Sequence, residues 1–245
     1  MIPKASRLDE MGASQGFHPL GSDQRGIQSM TPGRGTPDMT RERESTTINV
    51  STVDRQAYSE SAAIIARAFE NEPTVCAILR ADPAVRTKRL ASVFSIMMHT
   101  VEPRGWILQA SKDDKPCGAA FMHPPGTYPI PVLSQLQIIS KAVMRHGFQG
   151  LGRWIQLLNA YEKQHPKQLP HYYLELLGVL PEQQGRGIGS AMLRELVRRA
   201  DTDEVGCYLE TADPRNLPLY ERFGFCIQAE ENIIGVRVWF MWRSA

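Results

Sequence analysis

The sequence predicts a single-domain α/β (α+β) layer fold. Three observations carry this: strand-like and helix-like segments alternate, no segment repeats, and the run Tyr172 to Leu180 (YYLELLGVL) is almost continuously apolar. Such a strand must be covered on both faces, so it belongs inside a sheet flanked by helices. The elements follow in order. Thr46 to Val53 (TTINVSTV) reads as a first strand, and Asp54 is an N-cap candidate for a helix through Phe69. In that helix Ala57, Ser61, Ile64, Ile65, Ala68 and Phe69 form one apolar face. A second helix is predicted from about Ala84 to Thr100, with Val85, Leu90, Val93, Phe94 and Met97 at helical spacing. Gly105 to Ser111 and Pro116 to His123 read as strands joined by the polar turn Lys112 to Lys115. Val132 to about Gln164 is helical with a break near Gly147 to Gly152, and the apolar strand follows. Beyond it come a glycine-rich turn, a helix from about Gly187 to Ala200, a strand Cys207 to Thr211 and a short helix Leu217 to Phe223. Phe225 to Gln228 and Val236 to Trp242 read as a closing pair of strands.

Composition narrows the function classes. Lys and Arg number 28 against 26 Asp and Glu, a net charge of +2 over 245 residues, which argues against a nucleic-acid partner. Cys76, Cys117, Cys207 and Cys226 lie far apart without metal-ligand spacing, so they read as reduced core thiols and no metal is expected. No stretch of about 18 apolar residues occurs and Asp9 and Glu10 interrupt the N-terminus, so a soluble, cytoplasmic protein with no membrane partner is expected. Residues 1 to 45 are rich in Gly, Pro, Ser, Arg and Asp and read as a disordered tail, with the domain spanning 46 to 245. Met39 near the boundary leaves two readings open, a functional extension or a translation start assigned too far upstream.

The most informative segment is Leu174 to Leu193 (LELLGVLPEQQGRGIGSAML). Gly185, Gly187 and Gly189 alternate with Arg186 and Ile188 into an amphipathic helix. Glycines let a ligand approach the backbone, and the amides of a helix start carry partial positive charge, so this is an anion site suited to a phosphate or pyrophosphate. A P-loop would end in GK[ST] and a dinucleotide loop would read GxGxxG, and neither spacing is present.

Gln184 to Gly189 resembles the Q/RxxGxG/A signature of the GNAT superfamily of N-acetyltransferases, and LGVLP before it resembles the superfamily's strand. Tyr208 to Phe225 (YLETADPRNLPLYERFGF) is similar to the matching block of puromycin-type N-acetyltransferases. The resemblance implies a mixed, mostly antiparallel sheet flanked by helices, acetyl-CoA as cosubstrate, and transfer of an acetyl group to a primary amine of a small molecule. A protein lysine or N-terminal acetyltransferase and a non-catalytic coenzyme A binding module are the alternatives, and the chain would act as a monomer or homodimer.

The resemblance also implies site residues. Gly185, Arg186, Gly187, Gly189 and Ser190 would hold the pyrophosphate, with Gln184 shaping the loop, and the backbone of Gly178, Val179 and Leu180 would pair with the pantetheine arm. Tyr220 occupies the position of the acid that protonates the departing thiolate, its alternative being a packing aromatic. Asn216 either contacts the pantetheine or caps the Leu217 helix. Two carboxylates compete as general base: Glu175, inside the apolar strand, and Glu210, in the motif LET. His123, His165 and His171 read as polar residues of loops or strand ends. Trp106, Tyr128, Trp154 and Tyr161 are candidates for an aromatic acceptor wall, bordered by the stiff run Pro124 to Pro131.

Overall fold

The computed structural model describes residues 47–102 and 104–245, so the expectations for residues 1 to 45 fall outside it. Among these residues a seven-stranded, mostly antiparallel mixed sheet is flanked by seven α-helices, the layer fold that the alternation predicts.

Strand β1 (Ile48–Thr52) is followed by Asp54, whose carboxylate accepts from the Gln56 amide at 3.1 Å and caps a short 3-10 turn. Helix α1 (Tyr58–Ala68) continues from that turn and buries Ala62, Ile64, Ile65 and Ala66. Helix α2 (Pro73–Ile78) is not among the predicted elements; Glu72 caps it through the Val75 amide and Pro73 opens its first turn. Helix α3 (Pro83–Val101) carries Arg86, which is buried and donates to the carbonyls of Glu70 at 2.6 Å and Ala81 at 3.0 Å, pinning the segment that holds Glu72. The hairpin β2 (Trp106–Lys112) and β3 (Lys115–His123) leads to helices α4 (Val132–His146) and α5 (Leu151–Gln164). Strand β4 (His171–Val179), helix α6 (Ile188–Thr202), strand β5 (Gly206–Thr211), helix α7 (Leu217–Arg222) and the hairpin β6 (Cys226–Ile233) and β7 (Val236–Arg243) complete the domain.

The strands lie in the order β1-β2-β3-β4-β5-β7-β6, and β4 with β5 is the one parallel pair in the described sheet. On one face α6 packs Met192, Leu193 and Leu196 over Leu174, Val179, Cys207 and Leu209. On the other, α1 and α3 cover β2 and β3, while α2 and α5 cover Tyr173, Tyr208 and Phe240. Gly178 is where α1 meets β4: a Cβ there would lie 2.9 Å from the Ala68 Cβ and the Ile65 Cα, so any side chain would push the helix off the strand. Among the described residues no helix is long and apolar enough to cross a membrane.

Two local expectations are corrected. Cys226, expected as a packing residue, is exposed because β6 is an edge strand, whereas Cys117 and Cys207 are buried. Trp106 stands on the α6 face, beneath the Arg199 guanidinium at 4.5 Å and beside Tyr172, and therefore lines no surface shared with Tyr128, which packs on the opposite face.

Candidate active site

The site begins where the sheet opens. Strands β4 and β5 pair over four positions, from His171 opposite Gly206 to Leu174 opposite Leu209, and not beyond. From Glu175 on β4 and Glu210 on β5 the two strands go separate ways, leaving a gap in the middle of the sheet. On the other side of β4 the register to β3 slips: Met122 faces Leu174 but Phe121 faces Leu176, so Glu175 is the extra residue of a β-bulge. The bulge reverses the alternation. Leu174 and Leu177 both reach the α6 core while Leu176 reaches the α1 core, and Glu175 falls on the same side as Tyr173.

On that side Glu175 meets a partner. Glu175 Oε2 lies 2.6 Å from His123 Nε2, with the His123 side chain 1% exposed and that of Glu175 22% exposed. The His123 ring stacks on Tyr173 and meets Phe121 and Tyr128 edge-on, which fixes it in place. His123 and His171 stand at strand ends and His165 just past α5, as expected of loop or strand-end residues, but all three are buried in one aromatic cluster. Burial pushes the His171 imidazole down, and burial with the neighbouring His171 and His123 pushes His165 down to about 3, so both rings are neutral at neutral pH. His171 Nδ1 donates to the Leu169 carbonyl at 2.6 Å, so its Nε2 is bare and accepts from His165 Nε2 at 3.0 Å.

Glu210 stands at the floor of this cluster. Its Oε1 and the Tyr208 hydroxyl are buried without hydrogen-bond partners among the described residues, although the residue as a whole keeps some exposure. Burial raises its carboxyl to about 8 and Glu175 adds to the rise; the Tyr173 and Tyr208 hydroxyls, near the carboxyl but making no hydrogen bond of normal geometry to it, offset part of it. The sign of the resulting pH dependence is fixed. A raised folded value means that the stability contributed by the protonated carboxyl is complete below about pH 4.5 and lost as pH rises through 8. Glu210→Gln is therefore expected to melt with the wild type at pH 5 and to be more stable at pH 8.5, by up to about 4 kcal/mol. Melting curves at the two pH values check this; an equal difference at both would mean that the carboxyl does not titrate in this range.

On the other face, α7 brings up Tyr220. This residue is 6% exposed, its ring 6.1 Å from Phe225, and burial followed by Asp213 raises its phenol to about 12. It remains a proton donor at neutral pH. Leu219 beside it packs near Gly189 and Leu177, so α7 adjoins both the start of α6 and the stretch of β4 beyond the split. Asn216 precedes α7 and its side chain makes no cap bond, so the ordinary N-cap reading does not apply; Asp213 caps the turn before it through the Arg215 amide.

The glycine-rich turn has the form an anion needs. Gly185 and Gly187 take φ values of +73° and +83°, a left-handed conformation that disfavours any side chain, and nothing lies within 4 Å of where either Cβ would be. The first helical bond of α6 runs from the Ala191 amide to the Gly187 carbonyl, so Ile188, Gly189 and Ser190 present amides with no acceptor in their own helix. Lys112, Lys115 and Arg186 line a hollow beside the turn together with Asp113 and Glu182, the last of which is paired with Arg67. The chain therefore fits a pyrophosphate here, held by backbone.

Strand pleating sorts the remaining positions. The Leu180 amide donates to the Cys117 carbonyl at 2.9 Å, so it faces β3, and alternation turns Gly178 to β3 as well. Of the three residues expected to pair with the pantetheine arm, only Val179 turns its amide to the gap; Leu177, not anticipated, is the second. Gln184 braces this end of β4 by donating from Nε2 to the Val179 carbonyl at 3.1 Å. No group of three or more metal-ligating side chains gathers among the described residues.

The family model for the acetyltransferase (GNAT) family matches residues 72–225, a span that holds both carboxylates, the turn and Tyr220. The chain belongs to the GNAT acetyltransferase family. Acetyl-CoA is the cosubstrate of this GNAT protein, and the open, glycine-lined turn at the start of α6 has free backbone amides that fit its phosphates. Solved structures share the fold. A Corynebacterium glutamicum protein described as histone acetyltransferase HPA2 and related acetyltransferase gives a TM-score of 0.58 at 21% identity, over 81% of this chain and 97% of that one. The polyamine N-acetyltransferase of Drosophila melanogaster gives 0.56 at 15% identity, over 81% and 100%. Arylalkylamine N-acetyltransferase 2 of Aedes aegypti gives 0.51 at 13% identity, over 80% and 98%.

Proposed function

We propose that this GNAT protein transfers the acetyl group of acetyl-CoA to a primary amine of a small molecule by direct attack in a ternary complex. The observation that carries the reading is the placement of a carboxylate and a phenol on opposite faces of one gap: Glu175 with its His123 partner on one, Tyr220 on the other. An amine arriving from the Glu175 side gives up its proton to that carboxylate, directly or through a water. Its nitrogen forms the new bond to the acetyl carbon, the carbon–sulfur bond breaks, and Tyr220 supplies the proton that the sulfur takes. The Val179 amide, turned into the gap, is a donor for the oxygen that gains charge during attack. Glu175 is the base in this reading because it faces the gap with a partner that orients it; Glu210 lies deeper and is more than half protonated at neutral pH. The charge around the cleft supports an amine acceptor. The charged groups acting on Tyr128, Tyr161 and Tyr173 are carboxylates, namely Glu72, Glu162, Glu175 and Glu210. The Drosophila structure, described as an enzyme forming N-acetylagmatine, acts on an acceptor of this kind.

Release of the coenzyme A thiol, measured with a panel of small amines and with lysine-containing peptides, tests the reading. Amine-dependent thiol release is expected. Release with peptides alone would replace it by protein acetylation, and cofactor binding without any release would leave a binding module.

A further inference from the structure

The mechanism above uses Glu175 and leaves Glu210 without a task, although Glu210 is the less comfortable of the two. It is the first residue of β5 past the last paired position, as Glu175 is on β4, and it projects to the same face as Tyr208. Glu175 has His123 at 2.6 Å, whereas Glu210 Oε1 has no partner among the described residues. The Tyr208 hydroxyl beside it makes no hydrogen bond of normal geometry among the described residues either, in a residue only 1% exposed. Of the imidazoles in the cluster around Glu210, His123 is already engaged by Glu175 at 2.6 Å. Tyr128, Tyr161, Tyr173 and Tyr208 are phenols held protonated by burial, and His165 and His171 are neutral imidazoles. Glu72, the next carboxylate, is occupied at the start of α2 by the Val75 amide and the Thr74 hydroxyl. A buried carboxylate without a counter-cation is costly, so in the free protein Glu210 keeps its proton, and a ligand that brings a positive charge can take that proton's place. The partial exposure of Glu210 gives that ligand a way in, and the phenol rings offer π faces to a cation.

We propose that Glu210 is the seat of a second, non-reacting ammonium of the acceptor, which makes the preferred substrate a short aliphatic diamine rather than a monoamine. One amino group lies at Glu175, loses its proton and is acetylated, while the other stays charged on Glu210 and donates to its carboxylate. This rests on the acetyltransferase reading and adds a substrate class to it.

The experiment compares kcat/KM for 1,3-diaminopropane, 1,4-diaminobutane and 1,5-diaminopentane with that for 1-aminobutane and for 2-phenylethylamine. The wild type is expected to prefer the best diamine about 10- to 100-fold over 1-aminobutane, the range of one charge-assisted hydrogen bond. Glu210→Gln keeps the shape and is expected to shrink that preference to about threefold or less, through a rise in KM for the diamine. A readout independent of turnover and of the variant's folding is the melting temperature of the wild type at pH 8, which 1,4-diaminobutane should raise more than 1-aminobutane does. Equal kcat/KM for diamines and monoamines in the wild type, a preference for 2-phenylethylamine, or a diamine preference that survives in a folded Glu210→Gln would each overturn the proposal while leaving the acetyltransferase reading intact. Absence of thiol release with every amine would instead remove that reading itself.

Discussion

Tyr220→Phe is expected to lower kcat about 100- to 1,000-fold at neutral pH while leaving the KM for acetyl-CoA within about twofold. The substitution removes one oxygen and keeps the ring that packs against Phe225, so the fold and the cradle at the start of α6 are unaffected. What is lost is a proton donor, one that burial holds protonated up to about pH 12. Without it the sulfur must leave as a thiolate or wait for water, and either route raises the barrier of bond breaking without changing how the cofactor binds. The loss should therefore narrow toward high pH, where a free thiolate needs no proton. Steady-state kinetics of thiol release between pH 7 and 10 check both parts. A kcat within about threefold of the wild type at pH 7 would return Tyr220 to the packing role that its neighbours Phe223 and Phe225 have.

What the sequence disclosed and what it withheld divide along contact distance. The central strand and the glycine-rich turn were legible because their signals are local: an apolar run, three alternating glycines, and a helix with Met192, Leu193 and Leu196 on one face. Helix α2 is short, and its cues are Glu72 and Pro73 at its start, which a search for longer periodic segments passes over. The site's decisive contact was not local. Glu175 meets His123 because β3 and β4 pair with His123 opposite Tyr173, a contact between residues 52 positions apart that neither strand's pattern records. The same blindness assigned the pantetheine contacts to Gly178 and Leu180, since the direction of an amide depends on which neighbour the strand pairs with at that point. Trp106 parts from Tyr128, Trp154 and Tyr161 for a related reason: alternation gives two faces but does not say which one a helix insertion will cover. Gly178 illustrates the converse, a residue noticed for the cofactor whose smallness is explained by the approach of α1.

The contact between Glu175 and His123 leads to the most discriminating test of the base. Glu175→Gln is expected to reduce kcat about 100- to 1,000-fold, because an amide cannot accept the amine's proton. His123 touches neither substrate in this arrangement. It holds the Glu175 carboxylate by one hydrogen bond from a ring clamped between Tyr173, Tyr128 and Phe121, so it is a positioning residue. His123→Leu removes the donor and is expected to cost about 10- to 50-fold in kcat, with His123→Gln, which keeps an N–H donor, recovering part of it. The two effects must not add. Once the carboxylate is gone there is nothing left to orient, so Glu175→Gln/His123→Leu should be no slower than Glu175→Gln within about threefold. Circular dichroism and melting curves on all four variants separate this from a general loosening of the cluster, which would lower stability and activity together. If the double variant is slower than Glu175→Gln by the full factor seen for His123→Leu alone, the histidine acts on its own account, and the proton leaves the amine by a route that does not pass through Glu175.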